Sequence, residues 1–313
     1  MEQVPTSQPA AAPLAPVDDA RRQHYAEFYG ISDAAADRPL GVVMGNCQAE
    51  SLRLTLPAAT HWVRLPPIHE LTPADMPHLD RLLDRVDVLI SQPVRDDYHA
   101  LPLGTRQLFN RVRPGCATAV IPVIRFAGLY PTQVIVRPPT DASITPPLVP
   151  YHDLRTMAEA NGNPLPLVTA GGIRSLATLS IGELRAREER HGAIAVSDLF
   201  ATPSFAQMRT INHPGNPVWM ALSERVADRL GLDGAPVDVG RPILDSIHAP
   251  REQSVIEAWG FDDRATEHWL VGEARVPDVE RHRVHLEWYR RHPDVLAAGL
   301  HRHDDALGLL AAA

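Results

Sequence analysis

Four consecutive residues, Gly45-Asn46-Cys47-Gln48, place a thiol between two side-chain amides on a glycine turn. A thiol at the first turn of a helix meets unpaired backbone N–H groups and the positive end of the helix dipole, which favours its thiolate. Gly45 lets the chain turn sharply, and the amides of Asn46 and Gln48 are candidate donors to an oxyanion. The competing reading makes Cys47 a small buried hydrophobe, the commoner fate of a free cysteine. A cysteine nucleophile needs a base. Among fifteen histidines the first choice is His213, in the polar stretch Ile211-Asn212-His213-Pro214-Gly215-Asn216, because an imidazole titrating near neutrality can take a proton and return it. Read without chemistry, the same stretch is a helix N-terminal loop whose histidine satisfies local backbone groups. Asp96-Asp97-Tyr98-His99 offers a rival Asp-x-x-His spacing, with a solvated loop as the better reading for His99.

The order of elements follows from hydrophobic runs and breakers. Pro39 to Gly45 is an apolar run of strand length, and Gln48 to Leu56 is helix-forming and stops at Pro57. His61 to Leu65 reads as a second strand, Ala74 to Arg85 as a helix and Val86 to Ser91 as a third strand. Thr105 to Val112 and Ala117 to Ile124 add a further helix and strand. Strands alternating with helices imply right-handed crossovers and an α/β fold with a parallel sheet flanked by helices. In such sheets ligands bind beyond the carboxyl ends of the strands, where Cys47 falls. Arg95 and Asp97 also follow a strand's carboxyl end, and binding of substrate hydroxyl or phosphate groups competes there with a surface ion pair. After the Pro138-Pro139 and Pro146-Pro147 pairs helices dominate: Ile173 to His191, Pro217 to Leu230, Arg251 to Trp259 and Asp278 to Arg291. The expected organisation is a Pro/Ala-rich disordered tail over 1–18, a catalytic α/β domain over 19–235 and a mostly helical C-terminal extension over 236–313.

Composition narrows the function classes. A net charge of −8 without long charge runs disfavours a nucleic-acid partner. All thirty basic residues are arginine, which lowers the weight of any single one. No apolar window reaches membrane-spanning length and the start lacks a secretory signal, so the expected location is the cytoplasm, with no membrane partner. Two cysteines in unlike contexts, Cys47 and Cys116, argue against a structural disulfide. No HExxH, CxxC or EF-hand spacing occurs, so no metal is expected. Assembly of identical copies is left open.

Gly-Asn-Cys-Gln at the end of an N-terminal strand, the Ser91 to Tyr98 block, Val123 to Pro131 and the Asn-His-Pro block resemble the WcbI-like polysaccharide-biosynthesis family over about residues 39–230. The resemblance implies a coenzyme A-binding acetyltransferase with an SGNH-hydrolase-like α/β fold, in which Cys47 stands where those hydrolases carry serine. It implies acyl-CoA as co-substrate and a sugar or other small polar acceptor. It also places Gly45, Arg95, Asp97, Tyr98 and Asn212 in its blocks as candidate binding residues; His99 directly follows one of these blocks, which does not require a histidine there, and is kept as a candidate beside them. Arg53, Arg125 and Arg137 become candidates for coenzyme A phosphates, since the guanidinium fork matches phosphate oxygens. Gly171-Gly172 before a helix is a weaker candidate anion site. Two alternatives use the same residues: a cysteine thioesterase or esterase with water as acceptor, and a non-catalytic coenzyme A or nucleotide-binding module.

Overall fold

The structure, a computed structural model, describes residues 18–33, 37–137, 141 and 144–311. Of the tail expected over 1–18, residues 1–17 lie outside the described residues. Asp18 accepts from the amide of Ala20 and caps the helix Asp19–His24.

Four parallel strands form the main sheet: β1 (Leu40–Met44), β2 (His61–Val63), β3 (Val88–Ser91) and β4 (Ala117–Val120), in the order β2-β1-β3-β4. Every residue of β1 and β3 is buried, as a parallel sheet covered on both faces requires. Alternation along the strands divides the core. Val43, Val88 and Ile90 pack into one cluster with Leu52 of the helix Cys47–Thr55, whereas Val42, Met44 and Leu89 pack into another with Leu79 and Leu83 of the helix Met76–Leu83. Asp87 anchors both flanks, accepting from the Leu40 amide at 2.7 Å and from the Arg113 guanidinium.

The α/β architecture with a helical C-terminal region is therefore as the sequence indicates. Element ends differ where proline intervenes. β4 stops at Val120 rather than Ile124, because Pro122 has no N–H for the ladder, and the helix after β2 begins at Met76 behind a 3-10 turn, Pro73–Asp75. Other features are additional, among them two short antiparallel strand pairs, Gln133–Val134 with His152–Asp153 and Met208–Thr210 with His213–Pro214. A helix Leu154–Ala160 is capped by Asp153, and a three-stranded antiparallel sheet joins Ile247–His248 to the hairpin His268–Val271 and Ala274–Pro277. The C-terminal segment is not a detached appendage. Trp269, Tyr289 and Leu310 share one buried cluster with Val43 and Leu52.

Candidate active site

Cys47 opens the helix Cys47–Thr55 directly beyond the carboxyl end of β1, and it is solvent-exposed. Asn46 is the helix cap: its Oδ1 accepts from the Gln48 amide at 2.9 Å, and its own amide donates to Gln92 Oε1 at 2.9 Å. Gly45 is required by that second contact, since a Cβ there would overlap the Gln92 side-chain carbonyl.

Gln48, expected to offer an amide to an oxyanion, is instead the buried bolt of the site. Its Nε2 donates to the carbonyls of Ile124 (2.8 Å) and Asn212 (2.9 Å), while its Oε1 accepts from the Ile124 amide (2.9 Å) and Gln92 Nε2 (3.3 Å). Two donors and two acceptors exhaust a carboxamide's capacity, so no N–H remains for a substrate. Gln48 is thus a positioning residue that ties the Cys47 turn to the segment after β4 and to the Asn212 loop.

Free donors lie beside it. The Asn46 and Asn212 side-chain Nδ2 groups make no hydrogen bond among the described residues, although Asn212 Oδ1 accepts from Tyr151 Oη at 2.6 Å and from Thr210 Oγ1 at 3.2 Å. Thr210 Oγ1 also lies 2.9 Å from Tyr151 Oη. Burial raises the Tyr151 phenol above its usual range, and the Cys47 thiolate acts on it in the same direction, which puts Tyr151 in the electrostatic reach of the sulfur. Sequence reading missed both Tyr151 and Gln92. Gln92 sits in the Ser91 to Tyr98 block, but its side-chain role depends on β3 lying beside β1. Tyr151 follows a proline-rich stretch with no periodicity to read.

Two expectations about proton chemistry are corrected. The Cys47 thiol is not poised as a thiolate: burial of the sulfur raises its pKa, outweighing the lowering by the amides of Cys47 and Gln48. The residue is exposed as a whole, while the surrounding protein still desolvates its sulfur enough to raise the thiol. Nor does His213 titrate near neutrality. It is buried in the short strand His213–Pro214, and burial pushes its pKa down to about 4, opposed by a backbone hydrogen bond at Ile247 and reinforced by Arg209 and His248. Its Nδ1 is buried and has no hydrogen-bond partner, and its ring meets Tyr151 edge-on at 6.0 Å. At neutral pH the imidazole is uncharged and retains a proton-accepting nitrogen. Tyr151 thus meets the His213 ring and lies within electrostatic reach of the Cys47 sulfur.

The expected arginines separate. Arg53 is committed to Glu50, at 2.6 and 3.0 Å, and to the Trp62 carbonyl. Arg125 makes no side-chain hydrogen bond or ion pair among the described residues and lines a small recess of about 110 Å³ with His303. Burial depresses its pKa, followed by the neighbouring Arg187, Arg302 and Arg137, with Glu183 opposing them. Arg95 and His99 are exposed on the loop after β3. Asp97 is held by Gln107, and Asp97, His99 and Ala100 all take positive φ. The Tyr98 and His99 rings lie tilted at 51° with centroids 4.3 Å apart. The Gly171-Gly172 pair serves the helix Ala170–His191: Thr169 caps the amide of Gly172, which packs against the Leu309 carbonyl. Among the described residues no group of three or more His, Cys, Asp or Glu could hold a metal, and no helix is long and apolar enough to cross a membrane.

Residues 40–235 match the family described as polysaccharide biosynthesis enzyme WcbI. A solved structure described as that of WcbI, a polysaccharide biosynthesis enzyme, in its native form without a disulfide bond between coenzyme A and one of its cysteines, is 19% identical. It superposes with a TM-score of 0.70 over 87% of this chain and 99% of the other. No curated protein matches the sequence.

Proposed function

Because this chain belongs to the WcbI family of polysaccharide biosynthesis enzymes, we propose that it is an acyl-CoA-dependent acyltransferase that carries the acyl group on Cys47 and delivers it to a sugar or similar polar acceptor. The observation that carries this reading is the accessible thiol at the sheet's carboxyl edge, ringed by backbone amides and two free carboxamide donors. The relative's description brings coenzyme A and a cysteine together. Of the two cysteines here, only Cys47 is exposed at the edge where ligands of parallel sheets bind.

In the first half-reaction the Cys47 sulfur attacks the thioester carbonyl, the bond to the coenzyme A sulfur breaks, and the thiol proton leaves with coenzyme A. One thioester replaces another, so the step is close to balanced. In the second, an acceptor hydroxyl or amine attacks the acyl-cysteine, its proton passes to a base, and the thiol is restored. Since burial disfavours the free thiolate, proton removal must accompany attack. The neutral His213, reached through the Tyr151 and Asn212 neighbourhood, is the base assigned here. The Asn46 and Asn212 Nδ2 groups are the donors assigned to the oxyanion. Arg125, an unpaired guanidinium in a positive setting, fits a phosphate of coenzyme A better than the committed Arg53.

A second reading keeps the ligand and drops the chemistry: a coenzyme A-binding module in which Cys47 only lines the site. The raised thiol pKa favours it. Product analysis with acyl-CoA, with and without a sugar acceptor, separates the readings: acceptor-dependent acyl product supports transfer, steady hydrolysis supports a thioesterase, and bound but unconsumed acyl-CoA supports the module.

A further inference from the structure

A sizeable cavity lies away from the Cys47 turn, between the helix Leu154–Ala160, the hairpin His268–Val271/Ala274–Pro277 and the start of the helix Asp278–Arg291. It measures about 620 Å³ and opens to solvent, within the range of small-molecule sites. Its wall is polar in a particular way. Arg155 forks onto Glu252 at 2.6 and 3.0 Å and reaches Asp153 at 3.5 Å, while Asp278 accepts from Trp269 Nε1 at 3.0 Å and from Arg281. These contacts fix carboxylate and guanidinium groups in place around the opening.

Other groups on the wall have no partner. Gln133 is only 6% exposed, its Oε1 accepts from the Ile211 amide, and its Nε2 makes no hydrogen bond among the described residues. Ser254 Oγ and the Glu267 carboxylate are likewise unbonded. A carboxamide donor left unused at the wall of an open cavity is available to a polar ligand that displaces water from it. The cavity also shares an inner boundary with the candidate active site: Trp269 lines it and stacks on Tyr151 at 5.8 Å, and Gln133 holds the loop that carries Asn212.

The geometry points to this cavity as a saccharide-binding site, taking a sugar that bears no net negative charge. The inference rests on the reading that the protein acts on a sugar, and it names a saccharide-holding site separate from the Cys47 turn. Sugar hydroxyls both donate and accept, so they match a wall that alternates fixed carboxylates with guanidinium, amide and hydroxyl groups beside an indole. Asp153, Glu252, Glu267 and Asp278 line the cavity with the guanidiniums of Arg155 and Arg251, Arg281 pairs with Asp278 from behind the wall, and Glu267 forms no ion pair among the described residues, so carboxylates outnumber guanidiniums by one. That excess repels a phosphorylated or acidic sugar and favours a neutral or amino sugar.

Saturation-transfer NMR on the full chain with glucosamine, glucose and glucose 6-phosphate tests the assignment. Transfer to glucosamine and glucose is expected, with little to glucose 6-phosphate. Ala265→Trp, which fills the mouth from an exposed position, should weaken sugar binding by at least about 10-fold. Glu267→Gln, a shape-conserving change at an exposed residue, should reduce the preference for glucosamine over glucose. The assignment is overturned by transfer to neither sugar, by unchanged binding in folded Ala265→Trp, or by glucose 6-phosphate binding as well as glucosamine. Running the same titration on Cys47→Ala separates the two claims. Sugar binding that survives there stands even if Cys47 proves never to be acylated, and acylated Cys47 without sugar binding sinks the cavity alone.

Discussion

The two edges of the main sheet each carry one cysteine, and they differ in what stands behind it. Cys47 lies at the carboxyl edge of β1, on a turn held by Asn46, Gln48 and Gln92 and flanked by loops from three distant segments. Cys116 lies at the opposite edge, immediately before β4, half-buried, with its sulfur 3.6 Å from the Ala117 carbonyl. Burial raises both thiols. Intrinsic acidity therefore does not distinguish them. The distinction is placement: one thiol is exposed on a turn tied to the loop that carries Asn212 and the buried His213, the other lies half-buried at the sheet's opposite end.

The largest effect expected from this contrast is loss of acyl transfer to background in Cys47→Ala, against activity within about twofold of the parent in Cys116→Ala. Equal loss in both, with both folded by circular dichroism, would erase the contrast. Next, His213→Ala should slow acceptor-dependent turnover by about 10²- to 10⁴-fold with less change in acyl-CoA affinity. A normal rate there moves the base elsewhere.

Gln48→Ala probes the support. Truncation strands the Ile124 and Asn212 backbone groups and the Gln92 amide, at a cost of about 1–3 kcal/mol per buried unsatisfied group. A lowered unfolding midpoint in urea is expected together with lost activity. Full stability would show that the bolt is not structural.

A smaller effect concerns pH. The buried imidazoles of His152, His213 and His285 have pKa values pushed down to about 4, against about 6.5 unfolded. In that window the unfolded chain binds more protons, so stability falls as pH drops from about 6.5 towards 4, by about 1.4 kcal/mol per pH unit for each histidine. Urea titrations at several pH values should show this slope. His285→Gln should flatten it, and an unchanged slope in a folded variant would remove that histidine from the account.

How much of this was legible in the sequence depends on range. Val42, Val43 and Met44 announce β1 because their environment is set by a local apolar run, and the strand-turn-helix order places Cys47 at the right edge. The parallel sheet and its flanking helices follow from such local patterns. The saturation of Gln48 does not, because its partners Ile124 and Asn212 are far along the chain and offer backbone atoms, which leave no mark on residue type. The same applies to proton chemistry: the helix dipole at Cys47 and the neutral-range titration of a generic histidine are local expectations, and burial by distant segments overrules both. The hairpin at His268–Val271 was missed because its second strand, Ala274–Pro277, buries only Val276 and ends in proline, which leaves no apolar run to pair with the first.

The most direct test is to incubate the protein with acyl-CoA in the absence of acceptor, quench rapidly, digest and weigh the peptides. The account requires the acyl mass on the peptide that contains Gly45 to Arg53, removable by hydroxylamine and discharged when a sugar acceptor is added. Its formation should quicken as pH rises through and beyond the ordinary thiol value of about 8.5, since burial holds the Cys47 pKa high. Full turnover with no acylated Cys47 at any quench time would contradict the covalent route and leave direct transfer in its place.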